Sequence, residues 1–230
     1  MALAVSLLWA SAAHAYLPLP PALTALDSPA GEAMFLESGA RAAYWPLSAH
    51  YETQANQAFC GVASLVMVLN SSGIAAPQPE GYTPYSFFTQ DDLFPADGTA
   101  FLNGDWIAHH GLTLDQLGGL AAHFGLAVKI THATPDGLAA FRTQAAAALA
   151  QPGHYVIVNF KRETLGEEGY GHISPLAAYD AKTDRFLILD VARYKYPPAW
   201  VSTRDLYTAL DTTDPSANQT RGYAIISAGK

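Results

Sequence analysis

The sequence has one cysteine, no run of basic residues and no apolar stretch as long as a membrane span. Each absence removes a class of protein. A lone thiol, Cys60, cannot close an intramolecular disulfide or build a multi-cysteine zinc or iron–sulfur site. Lys and Arg number 12 against 20 Asp and Glu, for a formal charge of −8. That balance offers no phosphate-neutralising surface and argues against a nonspecific nucleic-acid binder. Without roughly 18–20 consecutive apolar residues there is no membrane-spanning helix to expect. Charged residues make up only 14% of the chain while half of it is hydrophobic, a composition that disfavours extended disorder. What is present is 230 residues of globular chain, enough to bury a substantial core as one large domain or two small ones.

The N-terminal segment stands apart. Residues 2–13 are apolar with small residues among them, and Ala13-His14-Ala15 has the A-x-A form of a signal-peptidase site. Tyr16-Leu17-Pro18-Leu19-Pro20-Pro21 follows and resists helix. No Lys or Arg precedes the apolar stretch, so only the terminal amine supplies a positive end. The reading is a cleaved export signal over 1–15, a bacterial periplasmic location and a single catalytic domain over 16–230. An N-terminal helix packed on the domain is the alternative.

Periodicity divides the remainder into a helical first half and a strand-rich second half. Residues 61–70 form an apolar run stopped at Gly73, which predicts a buried helix. Thr113 with Gln116 three residues later opens a second helix closed by Gly125, and Leu138 to Leu149 is a third. The segment from Pro77 to Gly104, dense in Pro, Gly and aromatics, predicts irregular structure. Short strands are predicted at 155–160, 172–179, 186–191 and 222–227, with a helix over 203–212. The turn at 180–184 makes strands 172–179 and 186–191 an antiparallel hairpin. Helices first and an antiparallel sheet after is an α+β pattern, a helical lobe plus a sheet lobe.

Cys60 immediately precedes the buried helix, where unpaired N–H groups and the helix dipole favour a thiolate. Gly61 beside it permits close approach of a substrate. Gln54, six residues upstream, brings an amide donor suited to an oxyanion hole. A free cysteine is by default a small buried core residue, and two further residues move the balance. His172 opens a strand behind Gly169 and Gly171, and Asp190 closes the hairpin partner. Pairing Ala178 with Phe186 sets Asp190 opposite Ser174 and makes it a diagonal neighbour of His172, about 7–8 Å away at the backbone. A slip of one residue would put the two on opposite faces. In this register Asp190 orients the imidazole, and His172 takes the Cys60 proton and returns it to a leaving amine.

These residues resemble a known family. Gln54 to Ser64, Gly171-His172-Ile173-Ser174-Pro175, the segment from Asp190 to Pro198 and Arg221-Gly222-Tyr223 are similar to the motifs of phytochelatin synthases. The resemblance implies a papain-like cysteine peptidase fold and γ-glutamylcysteinyl transfer from glutathione. Cys60 would be the nucleophile, His172 the base and acid, Asp190 the orienting residue and Gln54 the oxyanion donor. Arg193 and Arg221 would bind substrate carboxylates, in keeping with the bidentate fit of guanidinium to carboxylate. Tyr196 would shape the acceptor side, and Gly171 would leave room beside the imidazole. Plant members similar over this portion carry a further cysteine-rich C-terminal region, whereas this sequence stops at Lys230. The likeness to short bacterial relatives therefore implies hydrolysis of glutathione as the main activity. Transfer to a second glutathione would be secondary, with cadmium entering as a metal–glutathione thiolate and no tightly bound cofactor or resident metal site. Glutathione is the expected partner, with homodimerisation left open.

Two other readings compete. A papain-like leader peptidase that cuts after double glycine also places a glutamine six residues before Cys-Gly, although such domains are typically cytoplasmic and fused to transporters. A non-enzymatic thiol- or metal-binding module would use Cys60 with nearby histidines. His109-His110 lacks chelating spacing and reads as a polar loop before the Thr113 helix.

Overall fold

The computed structural model describes residues 16–94 and 101–228. The expected export signal at 1–15 lies outside the described residues. Seven α-helices occur among those described: α1 (Pro29–Glu37), α2 (Tyr44–Ala49), α3 (Cys60–Ser71), α4 (Gly104–His110), α5 (Leu114–His123), α6 (Leu138–Leu149) and α7 (Thr203–Leu210). Seven strands form one antiparallel sheet: β1 (Thr24–Ala25), β2 (Leu126–His132), β3 (His154–Lys161), β4 (Gly171–Asp180), β5 (Arg185–Ile188), β6 (Ala199–Ser202) and β9 (Gly222–Ala228). Their order across the sheet is β1-β6-β5-β4-β3-β9-β2. β7 (Thr213–Asp214) and β8 (Gln219–Thr220) make a separate two-stranded ribbon.

Local chemistry accounts for the elements nearest the site. α3 is buried from Cys60 through Leu69 and packs on β4, so it is the central rod of the core. Each Val or Leu it buries is worth about 1.5–3 kcal/mol of transfer free energy. Its first residue, Cys60, follows an N-cap, Phe59, that makes no side-chain cap hydrogen bond, which leaves the first-turn N–H groups open to negative charge. α5 starts at a complete capping box between Thr113 and Gln116 and packs on β2. Gly73 and Gly125 follow their helices with positive φ of 75° and 85°, the left-handed conformation that ends a helix.

The first half is less purely helical than its periodicity suggests. Leu126–His132 is a strand, β2, paired with β9 at the sheet edge; its alternation of Leu126, Val128 and Ile130 has the period of a half-buried strand. His109 and His110 are the last residues of α4, not a loop. Gly61 is buried against Leu112 and Ile173, where an added Cβ would stand 3.1–3.3 Å from their side chains. Its smallness therefore serves the packing of α3 on the sheet.

The β4–β5 hairpin differs from expectation in an instructive way. Beside the turn, Ala178 pairs with Leu187 and Tyr179 with Phe186, one residue away from the predicted register. A bulge between Leu176 and Ala178 then shifts the pairing, so that Leu176 faces Ile188 and the Leu189 N–H donates to the Pro175 carbonyl at 3.0 Å. Beyond the bulge the predicted alignment of Asp190 with Ser174 is recovered, although β5 itself stops at Ile188 and Asp190 lies just past it. One extra residue in one strand is what a β-bulge inserts.

Candidate active site

Cys60, His172 and Asp190 converge at a cleft of about 1010 Å³ whose walls include Cys60, His172, Asn159, Tyr170, Asp214 and Arg221. His172 Nε2 lies 2.8 Å from Asp190 Oδ1, and Ser174 Oγ is 2.9 Å from the same nitrogen. Cys60 and His172 share the cleft wall, and with Nε2 engaged, Nδ1 is the nitrogen left to face the sulfur. The Phe160 ring meets the imidazole edge-on at 5.5 Å between centroids. All three side chains are less than a tenth exposed.

Burial and charge oppose each other at every member of this row. Burial pushes the Cys60 thiol up, but the hydrogen bond and charge of His172, aided by the backbone of Ile173 and Gly61, bring it below its ordinary value. Burial pushes His172 down and the Arg162 charge adds to that, while the charge and hydrogen bond of Asp190 and the thiol bond outweigh them and leave it raised. Asp190 would be raised by burial, yet His172 and Arg162 hold it well below the carboxylate range. All three shifts run in the same sense, toward thiolate, imidazolium and carboxylate.

The carboxylate is itself held. Arg162 Nη2 donates to both Asp190 oxygens at 2.9 and 2.7 Å, and the Ala192 N–H donates to Oδ1 at 2.8 Å. Arg162 Nη1 donates to Glu167 at 2.6 Å. The Val191 N–H donates to Ser174 Oγ at 3.3 Å, so Ser174 is fixed between the imidazole and the chain after Asp190.

Gln54 enters the site through its backbone, whose N–H donates to the Val191 carbonyl at 2.9 Å. Its Nε2 donates to the Asn56 carbonyl at 2.7 Å, one of the two hydrogens that amide carries. Gln54 Oε1 is buried without a partner. Across the cleft, Arg221 Nη1 donates to Asn159 Oδ1 at 2.7 Å and to Asp214 Oδ2 at 3.2 Å. Asn159 Nδ2 donates to the same Asp214 oxygen at 3.1 Å, while the buried Arg221 Nε has no partner. Gly171 packs against this guanidinium, and a Cβ there would come within 2.5 Å of Nη1.

Two of the expected substrate residues lie away from the cleft walls. Arg193 stacks over the Tyr51 ring at 4.5 Å and donates to the Tyr51 carbonyl at 3.1 Å. Tyr196 is buried behind Asp190, with its ring 5.4 Å from the Arg162 guanidinium and its hydroxyl accepting from the Glu168 N–H at 2.8 Å. Four residues of the site went unnamed in the sequence reading: Arg162, Glu167, Asn159 and Asp214. The first two sit five residues apart, Arg162 opening a short 3-10 helix (Arg162–Leu165) whose left-handed cap at Gly166 folds Glu167 back onto Arg162. Among the described residues no three His, Cys, Asp or Glu side chains gather to hold a metal ion.

A model of the phytochelatin synthase family matches residues 14–223. The chain belongs to the phytochelatin synthase family. Its α+β arrangement is the papain-like one, with a cysteine at the start of a buried helix laid against an antiparallel sheet. A protein of Lotus japonicus named glutathione gamma-glutamylcysteinyltransferase 1 is 35% identical over 214 residues, covering 92% of this chain and 41% of that protein. The protein of the same name from Arabidopsis thaliana is 31% identical over 214 residues, 92% of this chain and 43% of its own length. Glutathione gamma-glutamylcysteinyltransferase of Schizosaccharomyces pombe is 31% identical over 212 residues, 90% of this chain and 50% of that protein. The chain therefore spans about two fifths to half the length of these family members.

Proposed function

We propose that the protein cleaves the Cys–Gly amide of glutathione by acyl transfer to Cys60. The observation that carries the reading is the buried row Cys60–His172–Asp190 opening on a cleft whose opposite wall offers Arg221 beside Asp214. The Cys60 thiolate attacks the carbonyl carbon, and the oxyanion takes the second Nε2 hydrogen of Gln54 together with N–H groups at the start of α3. His172 gives its proton to the departing glycine amine, leaving a γ-glutamylcysteinyl thioester. Water, deprotonated by His172, then releases γ-glutamylcysteine and restores the thiol. The α-amine of a second glutathione takes the place of water in the secondary route and yields phytochelatin, with cadmium–glutathione thiolate as the favoured acceptor.

The opposite wall supports a γ-glutamyl head in particular. That head carries an α-carboxylate and an α-ammonium, and Arg221 with its unpartnered Nε next to the Asp214 carboxylate offers one complement to each. An extended double-glycine peptide has no such zwitterion. The apolar segment ending in Ala13-His14-Ala15 supports export and work in the periplasm, which N-terminal sequencing of protein recovered from a periplasmic fraction tests.

The deciding experiment mixes the purified protein with glutathione and follows glycine release together with intact mass. A mass increase equal to a γ-glutamylcysteinyl group on Cys60, and glycine release that disappears in Cys60→Ser, are expected. Equal glycine release from Cys60→Ser, or an adduct with the mass of whole glutathione, would sink the reading.

A further inference from the structure

Behind His172 three charged side chains meet end to end. Asp190, Arg162 and Glu167 are all buried, with Arg162 bonded through Nη2 to both Asp190 oxygens and through Nη1 to Glu167. The Arg162 guanidinium also lies 5.9 Å from the Phe160 ring centroid and 5.4 Å from that of Tyr196, so aromatic faces cover it. Asp190 and Arg162 alone would cancel, and a protonated imidazole in front of them would face no net counter-charge in a poorly solvated place. Glu167 returns the stack to a single net negative charge. A neutral amide at 167 could accept the same hydrogen bond from Arg162, so what the carboxylate adds is its charge.

We propose that Glu167, acting through Arg162 and Asp190, is a positioning residue that sets the acidity of His172 and with it the pH range in which the Cys60–His172 ion pair persists. The inference rests on Cys60 being the nucleophile and not on glutathione being its substrate.

The other groups facing the stack do not supply this charge. Tyr51 donates its hydroxyl to the Asp190 carbonyl, and burial raises both Tyr51 and Tyr194, so both stay neutral. Tyr196 faces Glu168 through its hydroxyl, and Lys195 Nζ donates to the Glu168 carbonyl at 3.0 Å. Arg221 and Asp214 lie across the cleft and pair with each other. Glu167 is itself raised, since burial outweighs the Arg162 charge, and its protonation on acidification acts in the same direction as its removal.

The single cysteine makes thiol alkylation a one-site readout. The rate of reaction with iodoacetamide is measured against pH in wild type, Glu167→Gln and Glu167→Asp, with circular dichroism to verify the fold. In Glu167→Gln the step at which the imidazolium loses its proton is expected to move down by on the order of half a pH unit, about threefold in the proton equilibrium. Glu167→Asp keeps the wild-type midpoint. The double variant Arg162→Met/Glu167→Met again leaves one net negative charge behind the imidazole, and it returns the midpoint to the wild-type value or above. A Glu167→Gln curve superimposable on wild type overturns the proposal, as does a double variant that stays where Glu167→Gln stands. Absent glycine release with the alkylation shifts as described would remove the glutathione reading and leave this inference in place.

Discussion

Arg162 and Arg221 are both buried, both pair with an aspartate, and both touch the chain that carries His172 into the site. Arg162 spends its two Nη atoms on Asp190 and Glu167, behind the imidazole and away from the cleft walls. Arg221 has Nη1 on Asn159 and Asp214 but a buried Nε with no partner, and it lines the cleft. A buried donor without an acceptor costs about 1–3 kcal/mol. Under the proposed function, that donor is the one left for a substrate carboxylate. Arg162 has both Nη atoms committed to carboxylates, whereas Arg221 keeps one donor unpaired.

The comparison can be broken in several places. Asp190→Asn removes the charge Arg162 holds and the group that orients His172, and glycine release should fall by on the order of 10⁴-fold while circular dichroism is unchanged. A variant retaining most of its turnover would remove Asp190 from the mechanism. Arg162→Met leaves Asp190 and Glu167 buried without their shared counter-ion, so urea denaturation should show a loss of about 3–5 kcal/mol. Arg221→Lys keeps a charge and loses the planar fork; KM for glutathione should rise about ten- to hundredfold with kcat and thermal midpoint little altered. Gly171→Ala should reproduce that KM effect, because the new methyl displaces the same guanidinium. If Arg221→Lys instead lowers stability as much as Arg162→Met, the distinction between the two arginines fails.

A third arginine calibrates the scale. Arg142 donates through Nε and Nη2 to the two oxygens of Asp184, both at 2.8 Å, but the pair is more than a third exposed. The Arg142 bond, with Thr203 and Tyr179 adding theirs against burial, lowers Asp184 to about 2. A depressed carboxylate stabilises the fold above its unfolded pKa near 3.8, and that stabilisation is lost as pH falls toward 2. Asp184→Asn should therefore cost under about 1 kcal/mol at neutral pH, and the difference from wild type in thermal midpoint should shrink on acidification.

What could be read from the sequence was what neighbouring residues decide together. The Thr113–Gln116 capping box, the apolar run of α3 and the limits of α6 are local patterns, and the helices follow them. The order of Cys60, His172 and Asp190 was readable because a helix start and a hairpin bring them together through few degrees of freedom. Asn159 and Asp214 were not, since 55 residues separate them and only the pairing of β3 with β9 and the turn into β7 bring them face to face. Arg193 shows the converse: motif likeness assigned it to substrate, but its guanidinium settles on the Tyr51 ring. β2 escaped notice because seven residues of alternation at a sheet edge carry a weak signal beside long helices.

The irregularity at Ala177 has a consequence for how the molecule tolerates change. It uncouples the phase of the hairpin's loop end from that of its business end, so the 180–184 corner can be rebuilt without turning the imidazole and its carboxylate partner apart. Drawing Ala177 into the ladder opposite Ile188 would do the opposite: with the loop-end alignment carried through, Asp190 would come to rest beside Pro175, on the other face of the sheet.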